Sequence, residues 1–600
     1  MSASIRKLGA PLAKTAAAWP IVAGAAIASF PRFLRGLSCG HDFDFHLVSW
    51  LEVRRSWQQG VLYPHWAQSP NWGAGEPRFV FYPPISWVLG TALSMLTAFE
   101  WAPTLFIFLG LIASGLATRA LARRFLPPAN ATLAGAIATC LPYPLFTAYE
   151  RGAFAELAAA IFVPLLLLYT LRSRPAPSAS TLHQAFDGSA TPLALIIAAA
   201  WLTNAPAGVM LSYLLALTAL IAAVHARSWW PILRASVSVA IGLGLAAIYL
   251  VPAAWQQRWI AIAQATGVGM RVQDSWLFAR HASPDLEYHD QVLLTASIVF
   301  VTTLALAALG LLAARLHRML ARESRIFWLP LALLIPLILL LQFPISTPVW
   351  MLPQLSFLQF PWRWLMVLGT PAAIFLAAGV PLFTTRARRI TGVAAAICLL
   401  AVSSAAALFF FQACDEEDKT LNQVRIFQAE TGVEGTDEYA PTGADNSILA
   451  SGLPFSCLVT DPLAPLGQPG PDQIILWSPD QNSCLQTPTP TLWKTEDKRF
   501  SLHTDAPGYL VLRLRRYPAW RITVNDRPVA APLPTRADGL LAIPVPAGNP
   551  TLRVRWSVTT DVLWARGLTT LSILMLSLLW LWERRASRGA TPSAVASRLS

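Results

Sequence analysis

Long apolar runs recur along this chain from Ala16 to Trp582, broken by short polar stretches. About 20 apolar residues cross the hydrocarbon of a bilayer, so these runs predict membrane-spanning helices. The first covers about 16–33, and 103–121, 131–148 and 155–171 follow. Two segments then flank Thr203-Asn204-Ala205-Pro206, and 233–254 comes next. Three more end near Arg315, Gln342 and Arg386, one leads to Cys414, and the last covers 562–582. The run 85–99 is treated differently. If it crossed as well, the basic cluster Arg119, Arg123 and Arg124 would face outside, against the positive-inside rule. It is therefore read as interfacial or half-inserted. Arg172 and Arg174, His225 and Arg227, Arg315, His317 and Arg318, Arg386, Arg388 and Arg389, and Glu583-Arg584-Arg585 then all fall on the cytoplasmic side. The expectation is roughly twelve spans with both termini cytoplasmic.

Two polar stretches break this rhythm. The first outer loop, 35–84, holds apolar residues at Phe43, Leu47, Trp50, Leu51 and Trp57, with Arg54, Arg55, Gln58 and Gln59 on the other face. That spacing predicts a helix lying along the membrane surface. The second stretch, 415–560, reads as β in its latter half. Leu510 to Leu514 and Arg521 to Val524 are strand-like, and Asn525-Asp526 and Ala547-Gly548-Asn549 are turns. Leu552, Val554 and Trp556 alternate with Arg553 and Arg555, giving one buried and one wet face. The fold class is thus an α-helical polytopic membrane protein with a C-terminal extracytoplasmic β-sandwich before the last span. The expected divisions are a membrane domain 1–414, a β-rich domain 415–560, a last span 561–583 and a cytoplasmic tail 584–600.

Composition strengthens the membrane reading. Hydrophobic residues are 55% and charged residues 13%, with a mean hydropathy of +0.48; soluble domains carry about a quarter charged residues. The net charge of +13 is scattered through short loops and orients helices, so no nucleic-acid partner is expected. The 24 Trp suit an interfacial belt. Arg6, Lys7 and Lys14 precede the first run, which is read as an uncleaved helix in preference to a signal peptide. Of the six cysteines, Cys140 and Cys398 lie in apolar runs as packing residues. Cys457 and Cys484 lie where a disulfide would persist, though spacing alone does not fix the pairing.

Candidate chemistry concentrates at Cys39-Gly40-His41-Asp42-Phe43-Asp44-Phe45-His46, where charge is costly unless it has a partner or a task. Asp42 and Asp44 would share one face of an extended backbone and bridge a divalent metal. His41 or His46 would position an acceptor or contact phosphate. The simpler reading is that Asp42 caps the helix starting near Phe43. Glu150, Arg151 and Glu156 stand at the outer ends of two segments, either closing a hairpin as an ion pair or completing a site with Asp42. Arg363, after Gln359-Phe360-Pro361-Trp362, suits phosphate or interfacial snorkelling; Arg78 and Arg258 are weaker versions of the same idea. Asn204 is read as repairing a broken helix, Tyr82-Pro83-Pro84 as a rigid start to the second interfacial helix, and His289-Asp290 as ordinary loop polarity.

The series His41-Asp42-x-x-Phe45-His46-Leu47, Gly60-x-Leu62-Tyr63-Pro64-x-Trp66, Gly73-x-Gly75 and Phe81-Tyr82-Pro83-Pro84 resembles a family of bacterial multi-pass proteins. Tyr149-x-Arg151-Gly152-Ala153-x-Ala155-Glu156, Leu358-Gln359-Phe360-Pro361-Trp362-Arg363 and Glu438-Tyr439-x-Pro441 carry the resemblance over most of the chain. The membrane domain of that family is catalogued as "6-pyruvoyl-tetrahydropterin synthase-related". Pterin chemistry does not carry over, because the soluble pterin enzyme is a zinc protein and the sequence offers no compact His ligand set. The layout also resembles the GT-C superfamily of integral membrane glycosyltransferases and membrane proteins of the YfhO type. In GT-C enzymes one catalytic acid lies in the first outer loop and a second in the next. The matching positions are Asp42 or Asp44, and Glu150 or Glu156; the recurring Asp42-x-x-Phe45-His46 favours Asp42.

The resemblance implies an inverting glycosyltransferase in the cytoplasmic membrane, with its site and β domain outside. It would move a sugar from a polyprenyl-phosphate donor to a glycan or protein acceptor. Asp42 would act as base or metal ligand, Asp44 and Glu150 as supporting acids, and His41, His46, Glu156, Arg151, Arg363, Arg258 and Arg78 as substrate contacts. The alternative is a non-catalytic membrane or envelope assembly protein whose β-sandwich is a binding module. A transporter ranks last, since the sequence shows a single helix break, at Asn204-Pro206.

Overall fold

The apolar runs fold as helices packed side by side, because in hydrocarbon each segment must satisfy its own backbone polar groups. The computed structural model describes residues 18–171, 188–382, 384–471, 473–530 and 532–589. Among them seven helices are long and apolar enough to cross a membrane: Phe99–Ala122, Pro128–Tyr149, Ala205–Ala226, Pro284–Leu316, Arg322–Leu340, Thr385–Ala406 and Thr560–Arg585. An eighth span is the pair Trp230–Leu245 and Ala247–Trp259, bent by 72° at Ala246, a break not visible in the sequence pattern. The protein is therefore a multi-pass membrane protein with seven or eight full-length spans among the described residues. The other predicted runs form shorter helices. Trp19–Ser29 stops before Pro31, Ala190–Thr203 before the Asn204 break, and Leu365–Ala378 before Gly379. Arg6, Lys7, Lys14, Arg172, Arg174 and the tail from 590 lie outside the described residues.

Contacts between distant loops gather at two ends of the helical bundle. At one end a disulfide joins Cys39 to Cys414, Ile260 bridges Pro441, and Gln359 Nε2 donates to Ala265 O at 2.7 Å. At the other, Phe125 stacks on Phe327, Asn130 Nδ2 donates to Val380 O at 2.8 Å, and Ala190 N donates to Glu583 Oε1 at 3.0 Å.

The first-loop helix forms over Phe43–Gln58, but it does not lie on an open surface. Its apolar face packs on Pro84–Leu96, and its polar face is covered by Thr420–Ala429 and the segment around Thr495. Arg55 Nη2 donates to Phe427 O at 3.1 Å, and Gln59 Oε1 accepts from Thr495 N at 2.9 Å. Glu52 is fully buried, accepting from Ser69 N at 2.7 Å.

Ten strands follow: β1 (Ser456–Val459), β2 (Gln468–Pro469), β3 (Ile475–Leu476), β4 (Leu492–Lys494), β5 (Asp497–Ser501), β6 (Gly508–Arg515), β7 (Trp520–Val524), β8 (Arg527–Pro528), β9 (Leu540–Val545) and β10 (Thr551–Trp556). Two antiparallel sheets, ordered β1-β6-β9 and β4-β5-β10-β7-β8, dominate, and β2 pairs with β3. The alternation in β10 is realised: Leu552, Val554 and Trp556 are buried, while Arg553 and Arg555 face outward. Asn525 and Asp526, at φ 49° and 60°, make the tight turn from β7 to β8. Leu512 and Ile543 of one sheet share a core with Phe500 and Val554 of the other, and Trp66 of the first outer loop is buried in it. Cys457 and Cys484 are joined, and Cys140 and Cys398 stay outside the disulfides.

Candidate active site

Gly40 and Gly152 let the first two outer loops touch backbone to backbone. A Cβ on Gly40 would stand 2.5 Å from Glu150 O, and Gly152, at φ +60°, packs against Phe43. Asp42 N donates to Arg151 O at 2.8 Å, and His41 N to Glu150 O at 3.4 Å. The sequence-predicted acids of the two loops are thus brought together by main chain.

Their side chains take different partners. Asp42 occupies the N-cap position but makes no side-chain cap bond. Its carboxylate is half-exposed and lies 4.0 Å from Arg151 Nη2. Because the helix begins at Phe43, Asp42 and Asp44 are not on one face of an extended strand, and the premise for their bridging a metal fails. Glu150 is buried, which raises its carboxyl above the ordinary range, with Gln412 opposing the shift.

Arg151 Nη1 donates to Glu156 Oε2 at 2.6 Å, and Tyr143 OH donates to Glu156 Oε1. Burial works against the Arg151 charge, but Glu156, Tyr143 and Asp42 outweigh it and hold the guanidinium above its ordinary value. Arg363 Nε lies 3.8 Å from Glu156 Oε2 and, though buried, finds no hydrogen-bond partner among the described residues. Burial and the nearby Arg151 charge lower Arg363 from its usual value. Trp362 lies under Arg151 and Phe360 under Arg363, at 4.9 and 5.1 Å. Glu156 is shared between the two guanidiniums and Asp42 stands off at 4.0 Å from Arg151, so the corner holds two cations and two carboxylates with one buried guanidinium nitrogen, Arg363 Nε, left without a hydrogen bond. Tyr82 stands in the field of Asp42, Arg151 and Arg363.

A cavity of about 240 Å³ opens beside the cluster, lined by His41, Asp44, Tyr288, Gln412 and Asp418. Asp44 stands exposed at its mouth, yet the surrounding walls raise its carboxyl, with Arg78 opposing. His41 lies 5.5 Å from Tyr288, ring to ring. His46 is instead sealed among Phe45, Tyr82 and Phe154, and burial lowers its pKa to about 4, so it is neutral.

Arg78 and Arg258 do not join the cluster. Arg78 is bonded to Glu76, Phe45 O and Ser49. Arg258 is exposed, stacked on Trp255 at 4.1 Å. Asn204 repairs its break, accepting from Ala207 N at 2.9 Å. Sequence reading passed over Tyr143, Tyr288, Gln412 and Asp418. Tyr143, inside Leu141-Pro142-Tyr143-Pro144, carried the one available signal: a polar ring in an apolar run broken by prolines.

No family model matches the chain, so the family resemblance rests on the motifs themselves. A search of the curated proteins also finds no match. Among solved structures the chain is similar to the archaeal oligosaccharyltransferase AglB from Archaeoglobus fulgidus in complex with an inhibitory peptide and a dolichol-phosphate. Identity is 12% and the TM-score 0.41, covering 71% of this chain and 61% of that one. It is also similar to ArnT from Cupriavidus metallidurans bound to undecaprenyl phosphate, at 15% identity and a TM-score of 0.29, covering 60% of this chain and 77% of that one. The chain thus spans about three-fifths of the oligosaccharyltransferase's length. At these TM-scores the likenesses decide neither fold nor activity.

Proposed function

We propose that this chain is a GT-C-type integral membrane glycosyltransferase. It moves a sugar from a polyprenyl-phosphate donor to a glycan or protein acceptor on the extracytoplasmic side of the cytoplasmic membrane. The observation that carries this reading is the corner where an uncapped, half-exposed Asp42 meets two buried guanidiniums, one of them with an unpartnered Nε. Residues 1–414 form the membrane domain, 415–560 the outer β-rich domain, 561–583 the last span and 584–600 the cytoplasmic tail. The acceptor sits in the cavity, where Tyr288, Gln412, Asp44 and Asp418 offer a stacking face and hydrogen bonds. Asp42 takes the proton of the acceptor hydroxyl, whose oxygen attacks the anomeric carbon. The bond from that carbon to the phosphate oxygen breaks, and polyprenyl phosphate leaves with the electron pair toward Arg363 and Arg151. Glu150 and Asp44 act as supporting acids, and the two sheets, as a sandwich, help hold the acceptor.

The test is transfer of a labelled sugar from lipid carrier by the full chain in vesicles. If Asp42→Asn and Asp44→Asn both keep wild-type transfer, the reading fails. A second reading, a non-catalytic envelope assembly protein, draws on the closed Tyr143–Glu156–Arg151 network, which also suits a purely structural hairpin. It predicts no transfer by the wild-type chain and no saturable binding of polyprenyl phosphate.

A further inference from the structure

We infer that His281, His289 and Asp290 form a binding site for one divalent transition-metal ion of the zinc class. One nitrogen from each imidazole and one Asp290 oxygen lie within 4.8 Å of one another, and theirs is the single such trio among the described residues. The sequence hides it, since seven residues separate the two histidines and no short-spaced ligand motif results.

One of the two imidazoles is already fixed through its far nitrogen. His289 Nε2 lies 2.9 Å from Asp274 O, so it carries the proton and donates it, leaving the Nδ1 lone pair for an ion. A backbone carbonyl that fixes the far nitrogen in this way is the usual support of a metal-binding imidazole. Asp274 is itself anchored, accepting from Gly269 N at 2.9 Å and Arg271 Nε at 2.8 Å. Asp290 is held at both carboxylate oxygens, Oδ2 accepting from His281 N at 2.7 Å and Oδ1 lying 2.6 Å from His281 Nδ1. Bonds of about 2.0–2.2 Å place the donors of a tetrahedral zinc site roughly 3.3–3.6 Å apart, so side-chain rotation of about 1 Å closes the set. Two imidazoles disfavour magnesium and calcium, which take oxygen donors. The side chains of His281 and Asp290 are 21% and 18% exposed, so solvent reaches the site and water fills the fourth position.

The ion would join the loop before the helix Glu287–Leu316 to that helix's first turn. Tyr288, beside His289, lines the cavity, and His289 lies 6.3 Å from Phe360, the ring under Arg363. The staple therefore braces two walls of the candidate site without touching Asp42 or Asp44.

The experiment is a zinc titration of the full chain, tag-free in detergent micelles, by competition with a chromophoric chelator, together with zinc-edge X-ray absorption. The expected result is one zinc per chain, a shell with two imidazoles and no sulfur, and binding weakened at least about tenfold by His289→Ala or Asp290→Asn. Asp42→Asn/Asp44→Asn leaves binding unchanged. Stoichiometric zinc that survives His281→Ala/His289→Ala, no bound zinc in the wild type, or a sulfur shell overturns the site. If the variants do not fold, the wild-type stoichiometry and absorption spectrum decide.

Discussion

Arg78 and Arg151 are both buried, both paired with a glutamate and both beside the first outer loop, yet their networks are finished differently. Arg78 donates to Glu76 at 2.6 Å and to Phe45 O and Ser49 Oγ at 3.2 Å, and its plane rests on the Phe45 ring. Glu76 accepts in turn from Asn71 and Thr436 N, and Asn71 Oδ1 accepts from Arg515 of β6. That network ties the first loop to the sheets and engages the Arg78 guanidinium within the protein. Around Arg151 the bonds stop short. Its near pair with Glu156 is closed, but Asp42 stands off at 4.0 Å and Arg363 Nε is unpartnered. A buried cation is costly unless paired, so the closed network suits architecture, and the open one is the corner on which the proposed phosphate contact rests.

The comparison breaks most sharply at Asp42. Asp42→Asn is expected to lower sugar transfer about 10²–10⁴-fold, the usual worth of a positioned general base. Stability should change by less than about 1 kcal/mol, because a half-exposed pair contributes little. A variant that unfolds instead would make Asp42 architectural. The mirror experiment is Arg78→Met. Removing one partner of a buried pair costs about 3–5 kcal/mol, so this variant should lose folded yield and unfold at lower temperature, as read by tryptophan fluorescence. An Arg78→Met protein that stays stable but no longer binds lipid phosphate would reverse the two assignments.

From the sequence, Arg78 reads as a weaker version of Arg363, with nothing to mark the two as different in role. Both are arginines beside aromatics in outer loops, and the acceptors that saturate one of them are Glu76, Phe45 O and Ser49 Oγ, a pattern no local spacing announces. What local pattern does govern was legible. The apolar runs became helices, the alternation of Leu552, Val554 and Trp556 became a buried face, and Asn525-Asp526 became a turn. Features made by distant segments were not. Cys39 meets Cys414 across most of the chain, and the polar face of Phe43–Gln58 is hidden by residues more than 360 positions away. Of the roughly twelve spans expected, seven or eight reach full length among the described residues, and Trp19–Ser29, Ala190–Thr203 and Leu365–Ala378 are shorter helices that end before Pro31, Asn204 and Gly379.

Arg363→Gln sharpens the comparison at smaller amplitude. A charge-assisted bond to phosphate is worth about 1.5–3 kcal/mol, so polyprenyl phosphate should bind roughly ten- to a hundredfold more weakly. Arg258→Gln, which alters an exposed cation stacked on Trp255, should leave binding unchanged. Equal losses in both variants would mean that general positive charge, and not the corner beside Glu156, attracts the lipid.

Lys498 of β5 lies between the two cases and carries the smallest expected effect. It is fully buried, with Nζ donating to Thr495 O at 2.6 Å and lying over the rings of Trp520 and Trp493. Burial lowers its pKa from 10.5 to about 7, against the pull of Glu496, Glu52 and Asp497 and with help from Arg55. The unfolded chain holds the Lys498 proton up to about pH 10.5, whereas the folded chain releases it near pH 7. Across that window the unfolded state binds more protons, so stability must rise with pH, by at most about 1.4 kcal/mol per unit. Below pH 7 the cost of keeping the buried ammonium is present in full. Between pH 7 and 8 the wild type should therefore gain up to about 1 kcal/mol relative to Lys498→Met, read as a difference of unfolding midpoints in one detergent. If the two proteins run parallel with pH, one hydrogen bond and two indole faces suffice to keep the ammonium charged. An incomplete shell would then no longer mark a cation as available, and the distinction drawn between Arg78 and Arg363 would lose its basis.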